Sequence, residues 1–399
     1  MRRIILGIAV LFTATMRGQL TVESIKTTKF GAGIINFKGE NNSWSIKLGA
    51  RMQLLSTNQW FYSNGNLTEH VSTALVRRSR LKFDGFVYDP TIKYKLEFGL
   101  SNNDLSSGNP EEKASAAVNY APRMVLDAVV MWNFVDNFEV WFGQAKLPGN
   151  VERVISSSSL QLVDRSRLNS EFNLDRSFGV QLRHNFNLTN KFVVRERIAV
   201  SQGEGRNVTI ENEGGYQYTG RVELLPFGLF EEKGEYKGGD LKREKTPKLM
   251  LSSTYDYNVD ARKTRGSQGK YFEDLDESYV DVTTDVTTVF IDAMFKYKGL
   301  SFMGEYAYRD AGNDLVSIGN GLNLQTGYLF KNNWELATRY TNVSVFSAVD
   351  GGEERNVYTL GVSKYVVGHK LKVQSDISYT DIVGSENRIG FRVQVEIQL

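Results

Sequence analysis

The side chains in this chain that could do chemistry are charged residues recurring at every second position. Arg78, Arg80 and Lys82 are spaced by two, as are Lys93 and Lys95, Arg195 and Arg197, and Lys370 and Lys372. That spacing puts side chains on one face of a β-strand. Rows of cations on such a face guide anions and do not break bonds. Bond-breaking chemistry has few candidates. His70, His184 and His369 lie far apart, and none has a Ser or Asp partner in strand register for acyl transfer. The acids Glu273, Asp274, Asp276 and Glu277 do not follow the spacing of a calcium loop. No metal, cofactor or catalytic residue is expected.

The charges must be carried on strands, and the end of the chain shows which kind. Gly390 to Leu399 reads GFRVQVEIQL, with Phe391, Val393, Val395, Ile397 and Leu399 alternating with polar residues. A strand with one apolar face, ending on an apolar residue, suits the closing strand of a barrel in lipid. Similar strands recur from Trp44–Leu54 onwards. Leu75–Val87 and Ile92–Leu100 follow, with Tyr94, Leu96 and Phe98 opposite Lys93, Lys95 and Glu97. The count is about sixteen, joined alternately by short turns and longer loops, as a bacterial outer-membrane barrel requires. The expected class is therefore all-β: a transmembrane antiparallel β-barrel over residues 44–399. Three features are less regular. Ser56 to Ala74 reads as a long polar first loop. Glu196 falls on the apolar face of the strand Phe192–Ser201, which implies a bulge or an edge. Pro226 to Thr246 is long for the short-turn side.

Composition agrees with this reading without deciding it. There are no cysteines, and the formal charge of +2 gives no global case for nucleic acid. Aromatic residues reach 12 %, which suits the girdles of a barrel. Met1-Arg2-Arg3, the apolar Ile4 to Phe12 and a small-residue exit mark residues 1–18 as a secretory signal peptide. Residues 19–43 form a lead-in too short for a plug domain. The expected location is the outer membrane of a Gram-negative bacterium, with lipid around the barrel.

At about sixteen strands the lumen holds water. Strand alternation turns Lys47, Arg51, Arg78, Arg80, Lys82, Lys93, Lys95, Arg183, Arg195 and Arg197 inward, and extends the basic set through Arg221, Lys296, Arg309, Arg339, Lys370, Lys372 and Arg392. The acidic set is shorter: Asp84, Glu97, Asp127, Glu139, Glu223, Asp256, Asp292, Glu305, Glu335, Asp376 and Glu396. The third long loop, about 148–175, is a possible constriction, with Lys146, Arg153, Arg165 and Arg167 as its cations. The function that fits is passive uptake of small anions, phosphate or polyphosphate among them. A general diffusion porin is the alternative, followed by a structural or enzymatic barrel.

Several stretches resemble a known family. They are LGARMQ (Leu48 to Gln53), VRRSRLKFDGFVYDPTIKYKLEF (Val76 to Phe98), FGQAKLPGNVERVISSSSLQLVDRS (Phe142 to Ser166), LDRSFGVQL (Leu174 to Leu182), GRVELLPFG (Gly220 to Gly228) and the closing strand. Together they resemble the phosphate-selective porin O/P family in its Bacteroidetes-type form. The resemblance implies a sixteen-stranded, usually homotrimeric, outer-membrane channel for phosphate-like anions. Two positions depart from the family pattern. Gly149 stands where a Phe usually follows Lys-x-Pro, and Leu399 replaces the usual terminal aromatic.

Overall fold

The computed structural model describes residues 29–63, 65–101, 104, 124–208 and 214–399. The signal peptide expected over 1–18 and most of the second long loop lie outside the described residues. The strands are β1 (Ile35–Lys38), β2 (Trp44–Ser63), β3 (Asn66–Val87), β4 (Asp89–Gly99), β5 (Val125–Val135), β6 (Phe138–Lys146), β7 (Arg176–Asn187), β8 (Val193–Ser201) and β9 (Gln217–Leu225). They continue as β10 (Lys248–Ala261), β11 (Thr284–Tyr297), β12 (Leu300–Ala311), β13 (Ile318–Leu329), β14 (Trp334–Ser347), β15 (Gly351–Val367), β16 (Leu371–Ile382) and β17 (Asn387–Gln398). Two short helices, α1 (Val151–Val154) and α2 (Arg167–Phe172), lie in the connection from β6 to β7.

From β2 onwards every strand pairs antiparallel with its sequence neighbour, and β17 pairs with β2 from Asn387↔Tyr62 to Gln398↔Arg51. The result is a closed ring of 16 antiparallel strands. Closure matters because an open sheet edge in hydrocarbon leaves backbone groups unsatisfied. The seam is finished by β1, which pairs with β2 from Ile35↔Leu48 to Lys38↔Ser45, below the point where β17 ends. Leu399 bridges the two, its N–H donating to Ala50 O at 2.8 Å, while Ile34 N–H donates to Leu48 O at 2.7 Å.

Alternation runs inside out relative to a soluble protein. On β12, Leu300, Tyr306 and Tyr308 are about 40 % exposed on the outer wall, whereas Glu305 and Arg309 are 1 % exposed inside. The lipid-facing band is apolar and the interior polar, as a membrane barrel requires.

Three expectations change. The first loop is not a loop: β2 and β3 stay paired as far as Ser63↔Asn66, and Trp60 stacks on His70 across them at 4.9 Å. Polar side chains mark the point where strands leave the membrane, but they do not stop backbone pairing in water. Gly65, at φ +83°, makes the tight reversal at the tip. Glu196 sits neither at a bulge nor at an edge, since β8 pairs without a shift with both β7 and β9. It faces outward and accepts a hydrogen bond from His184 Nδ1 at 3.0 Å, and that imidazole stacks against Phe138 at 4.0 Å. The partner comes from a neighbouring strand, so nothing in the local pattern announces it. Finally, a register shift between Gln53 and Leu54 leaves Arg77 as an extra residue in β3. Arg77 and Arg78 then both reach Asp164, at 2.7 and 3.8 Å.

This bulge is testable by cysteine labelling. Arg77→Cys and Arg78→Cys should both react with a membrane-impermeant thiol reagent, while Leu81→Cys should not. Protection of position 77 with reaction at 78 would show strict alternation and no bulge.

Candidate functional site

The site is built by two segments that enter the barrel from opposite ends. The first is the β6–β7 connection, 147–175, which contains α1 and α2. It crosses the lumen and lies against the wall from β9 to β16. Irregular backbone inside a barrel carries polar groups that no ladder satisfies, and here wall side chains satisfy them. Arg221 donates to Gly149 O at 2.8 Å, Lys372 to Leu160 O at 2.7 Å and Gln374 to Gln161 O at 2.8 Å. Arg339 donates to Asp164 O at 2.9 Å, and Arg309 to Glu171 O and Phe172 O, both at 2.8 Å. Glu305 and Asp376 accept the N–H groups of Glu152 and Val163, at 2.7 and 3.1 Å. Two apolar clusters complete the seat. Leu168, Phe172 and Leu174 pack on Phe290, Ala307 and Val343. Val151, Ile155 and Leu160 pack among Leu225, Met250, Met294 and Met303.

Within the segment, Lys146 caps the end of α1 by donating to Arg153 O at 2.7 Å, which places a cation at a helix C-terminus. Arg165 holds Glu152 O and Ile155 O at 2.9 and 2.7 Å. Burial raises the Asp164 carboxyl, and the guanidiniums of Arg77, Arg78 and Arg392 outweigh it, so the group lies well below the usual carboxylate range. Asp175 is depressed in the same way, with Arg153, Arg176 and Arg206 outweighing burial.

The second segment is the β9–β10 connection, 226–247. It does not make an ordinary turn but folds up into the barrel. Lys296 donates to Gly234 O, Lys237 O and Gly239 O at 2.7, 2.8 and 2.5 Å. The two segments meet where Gly238 N–H donates to Ser159 O at 2.7 Å. The approach is so close that a Cβ on Gly238 would overlap the backbone nitrogen of Gln161. Together they fill the β10–β17 side of the interior.

A cavity of about 510 Å³ lies between the crossing segment and the opposite wall, β3 to β9. Twelve cationic side chains line it against four carboxylates, Glu97, Asp127, Glu139 and Glu223. Many of the cations stand in a chain of ion pairs. Arg80 binds Glu97 at 3.0 Å and Asp104 at 2.9 Å, and Arg176 binds Asp127 at 2.6 Å. Lys95 bridges Glu97 and Asp127. Arg195 binds Glu235 at 2.6 Å, while Glu223 accepts from Arg197 and Arg221 at 2.9 and 2.8 Å. Tyr236, brought in by the second segment, donates to Glu223 and accepts from Arg197 at 3.0 Å. Burial, then the Glu223 charge, pushes its phenol up to about 12, so it stays protonated. Trp141 carries the Arg183 guanidinium 3.4 Å above its ring.

The cations named from sequence separate into groups. Arg78, Arg80, Lys95, Lys146, Arg153, Arg165, Arg183, Arg195 and Arg197 line the cavity. Arg51 is spent on Ser157 Oγ at 2.7 Å, Lys82 on Asp84 at 2.9 Å and Arg167 on Glu171 at 2.7 Å. Lys47 stands beside Gly33 of the lead-in, and Lys93 is exposed on β4 outside the cavity lining. Lys296, Arg309, Arg339 and Lys372 anchor backbone instead of lining the path. Arg77, Trp141, Lys233 and Tyr236 were not foreseen. Adjacent arginines in an alternating strand were a readable sign of the bulge. Nothing in the sequence signalled that residues 226–247 would enter the barrel.

Residues 46–227 match the model of a family described as phosphate-selective porin O and P. The match covers 182 of the 399 residues, from the start of the first membrane strand to the β9–β10 connection. No curated protein matches the chain. Among solved structures, it is similar to an anion-selective porin from Comamonas acidovorans (TM-score 0.53, 11 % identity, covering 89 % of this chain and 100 % of that one). It is also similar to OprB of Pseudomonas putida at high pH (0.53, 10 %, 89 % and 94 %) and to the DcaP channel of Acinetobacter baumannii (0.52, 12 %, 90 % and 99 %). At such identities the likeness establishes the barrel fold. The family match and the barrel fold are both in keeping with an outer-membrane porin.

Asp164→Asn should loosen the crossing segment, because Arg77 and Arg78 lose their charged partner, at a cost of about 2 kcal/mol. Single-channel recordings should show more frequent current steps than the parent, and unchanged noise would remove Asp164 from this role. The pH dependence has a definite sign. A depressed carboxyl stabilises the fold fully above its unfolded value, about 4. That stabilisation is lost only as pH falls towards the folded values of Asp164 and Asp175. Current noise at pH 5 should therefore match that at pH 7.5, and a rise by pH 5 would contradict the assignment.

Proposed function

We propose that the protein is an anion-selective porin whose path is the cavity between the crossing segment and the β3–β9 wall. The observation that carries this reading is the lining, twelve cations against four carboxylates. A cationic lining raises the local concentration of anions and repels cations. The pairing described above does not cancel the excess, because the cations outnumber the acids around them. Small anions such as phosphate are the substrates this reading favours, with passive uptake into the periplasm as the activity. Export through the signal peptide at 1–18 and assembly as a homotrimer belong to the same proposal and rest on the sequence reading. A general diffusion pore is the competing reading, in which the charges serve only to rigidify the wall.

Reversal potentials in planar bilayers under a potassium chloride gradient separate the two. The parent should lie on the anion side at 0.1 M salt and move towards neutrality at 1 M, as the screening length falls from about 10 to about 3 Å. Arg78→Gln with Lys233→Gln removes two lining charges. A unit charge about 8 Å from the permeant ion is worth roughly 0.5 kcal/mol in water, favourable to an anion and unfavourable to a cation, so each loss should cut the anion-to-cation permeability ratio about fivefold before screening. A parent without preference, unchanged in the double variant, would favour the diffusion pore.

A further inference from the structure

We propose that the Trp141–Arg183 stack is a binding station for organic anions carrying a flat apolar ring, aromatic carboxylates being the class it fits. This rests on the anion-selective reading above and narrows it.

Arg183 differs from most of the guanidiniums around the cavity in what it touches; Arg165, the other without a carboxylate, is spent on the carbonyls of Glu152 and Ile155. Arg80, Arg153, Arg176, Arg195, Arg197 and Arg221 each hold a carboxylate. Arg183 instead donates to Gln181 Oε1 at 2.8 Å, and its buried Nε has no hydrogen-bond partner. That Nε–H is an unmet donor, which a carboxylate entering in the guanidinium plane would satisfy, while the faces stack on rings. One face already lies 3.4 Å from the centre of the Trp141 ring. The indole is held in place by its own Nε1–H, which donates to Glu139 at 2.6 Å.

The surroundings of the stack suit an apolar body. The next inward positions of β6 and β7 are Gly143 and Gly179, paired directly across the ladder, so the wall beside the indole is bare backbone. Val129, Ala145, Leu147 and Val154 face the same cavity. A bare oxyanion gains nothing from an indole, a glycine pair and four aliphatic side chains. A ring gains both stacking and release of water from apolar surface. The cavity, at about 510 Å³, lies within the usual range for small-molecule sites.

The test uses the parent protein in planar bilayers carrying chloride current, with four blockers at equal concentration: benzoate, phenyl phosphate, acetate and inorganic phosphate. Stacking of one ring is worth about 1–3 kcal/mol. Benzoate and phenyl phosphate should therefore interrupt the current at concentrations about tenfold lower than acetate and inorganic phosphate. Cyclohexanecarboxylate, apolar but not flat, should fall between the pairs. Trp141→Phe should keep most of the difference, and Trp141→Ala should abolish it. If Trp141→Ala does not insert, the parent and Trp141→Phe comparisons still decide. Equal block by all the anions through an anion-selective pore would overturn this inference and leave the proposed function standing. A pore without anion preference would overturn both.

Discussion

Irregular backbone buried inside the barrel is the constraint on which the site depends. A peptide group withdrawn from water must find a partner, and the crossing segment brings in a long run of them. The wall from β9 to β16 answers with long cationic and amide side chains that reach carbonyls: Arg221, Arg309, Arg339, Lys372 and Gln374. Its carboxylates, Glu305 and Asp376, take the N–H groups. Charge on that wall is thus spent on holding a segment in place. Such buried contacts add little net stability, because desolvation offsets attraction, but losing one partner leaves a costly orphan.

The opposite wall carries less of that duty, with Arg77 and Arg78 on Asp164 and Lys146 on the end of α1. Its cations on β3 to β8 meet the cavity and one another, separated by a thin ladder of carboxylates. Arg176, Asp127, Lys95, Glu97 and Arg80 form one continuous run of this kind. A row of like charges without these acids would repel itself. The partial pairing keeps the guanidiniums ordered and leaves a positive balance. The polar lining is therefore asymmetric around the barrel, although alternation alone would spread it evenly.

The second inserted segment links the two ends of the molecule. Its Gly238 meets Ser159 of the first, and His369 Nε2 donates to Gly238 O at 3.0 Å from the β15–β16 turn. Tyr236 then stands among Arg195, Arg197 and Glu223. A movement at the β9–β10 connection would be felt at both the contact with the crossing segment and the cation row.

The sequence by itself determined the barrel. A period of two is imposed by the strand backbone, and a lipid exterior demands an apolar face, so Tyr94, Leu96 and Phe98 could be assigned outward from pattern alone. The same rule placed Arg78, Arg80, Lys95, Arg183, Arg195 and Arg197 on the lumen side. Where the rule failed, the deciding contact lay on another strand or segment. Glu196 has its partner in His184 across the ladder, and the bulge at Arg77 depends on its register against Gln53 and Leu54. The tertiary structure alone decided which inward cations face the cavity and which hold backbone. That choice follows from where 147–175 and 226–247 come to rest. Their resting place is set by many distant carbonyl, carboxylate and apolar contacts, none of which leaves a periodic mark in the sequence.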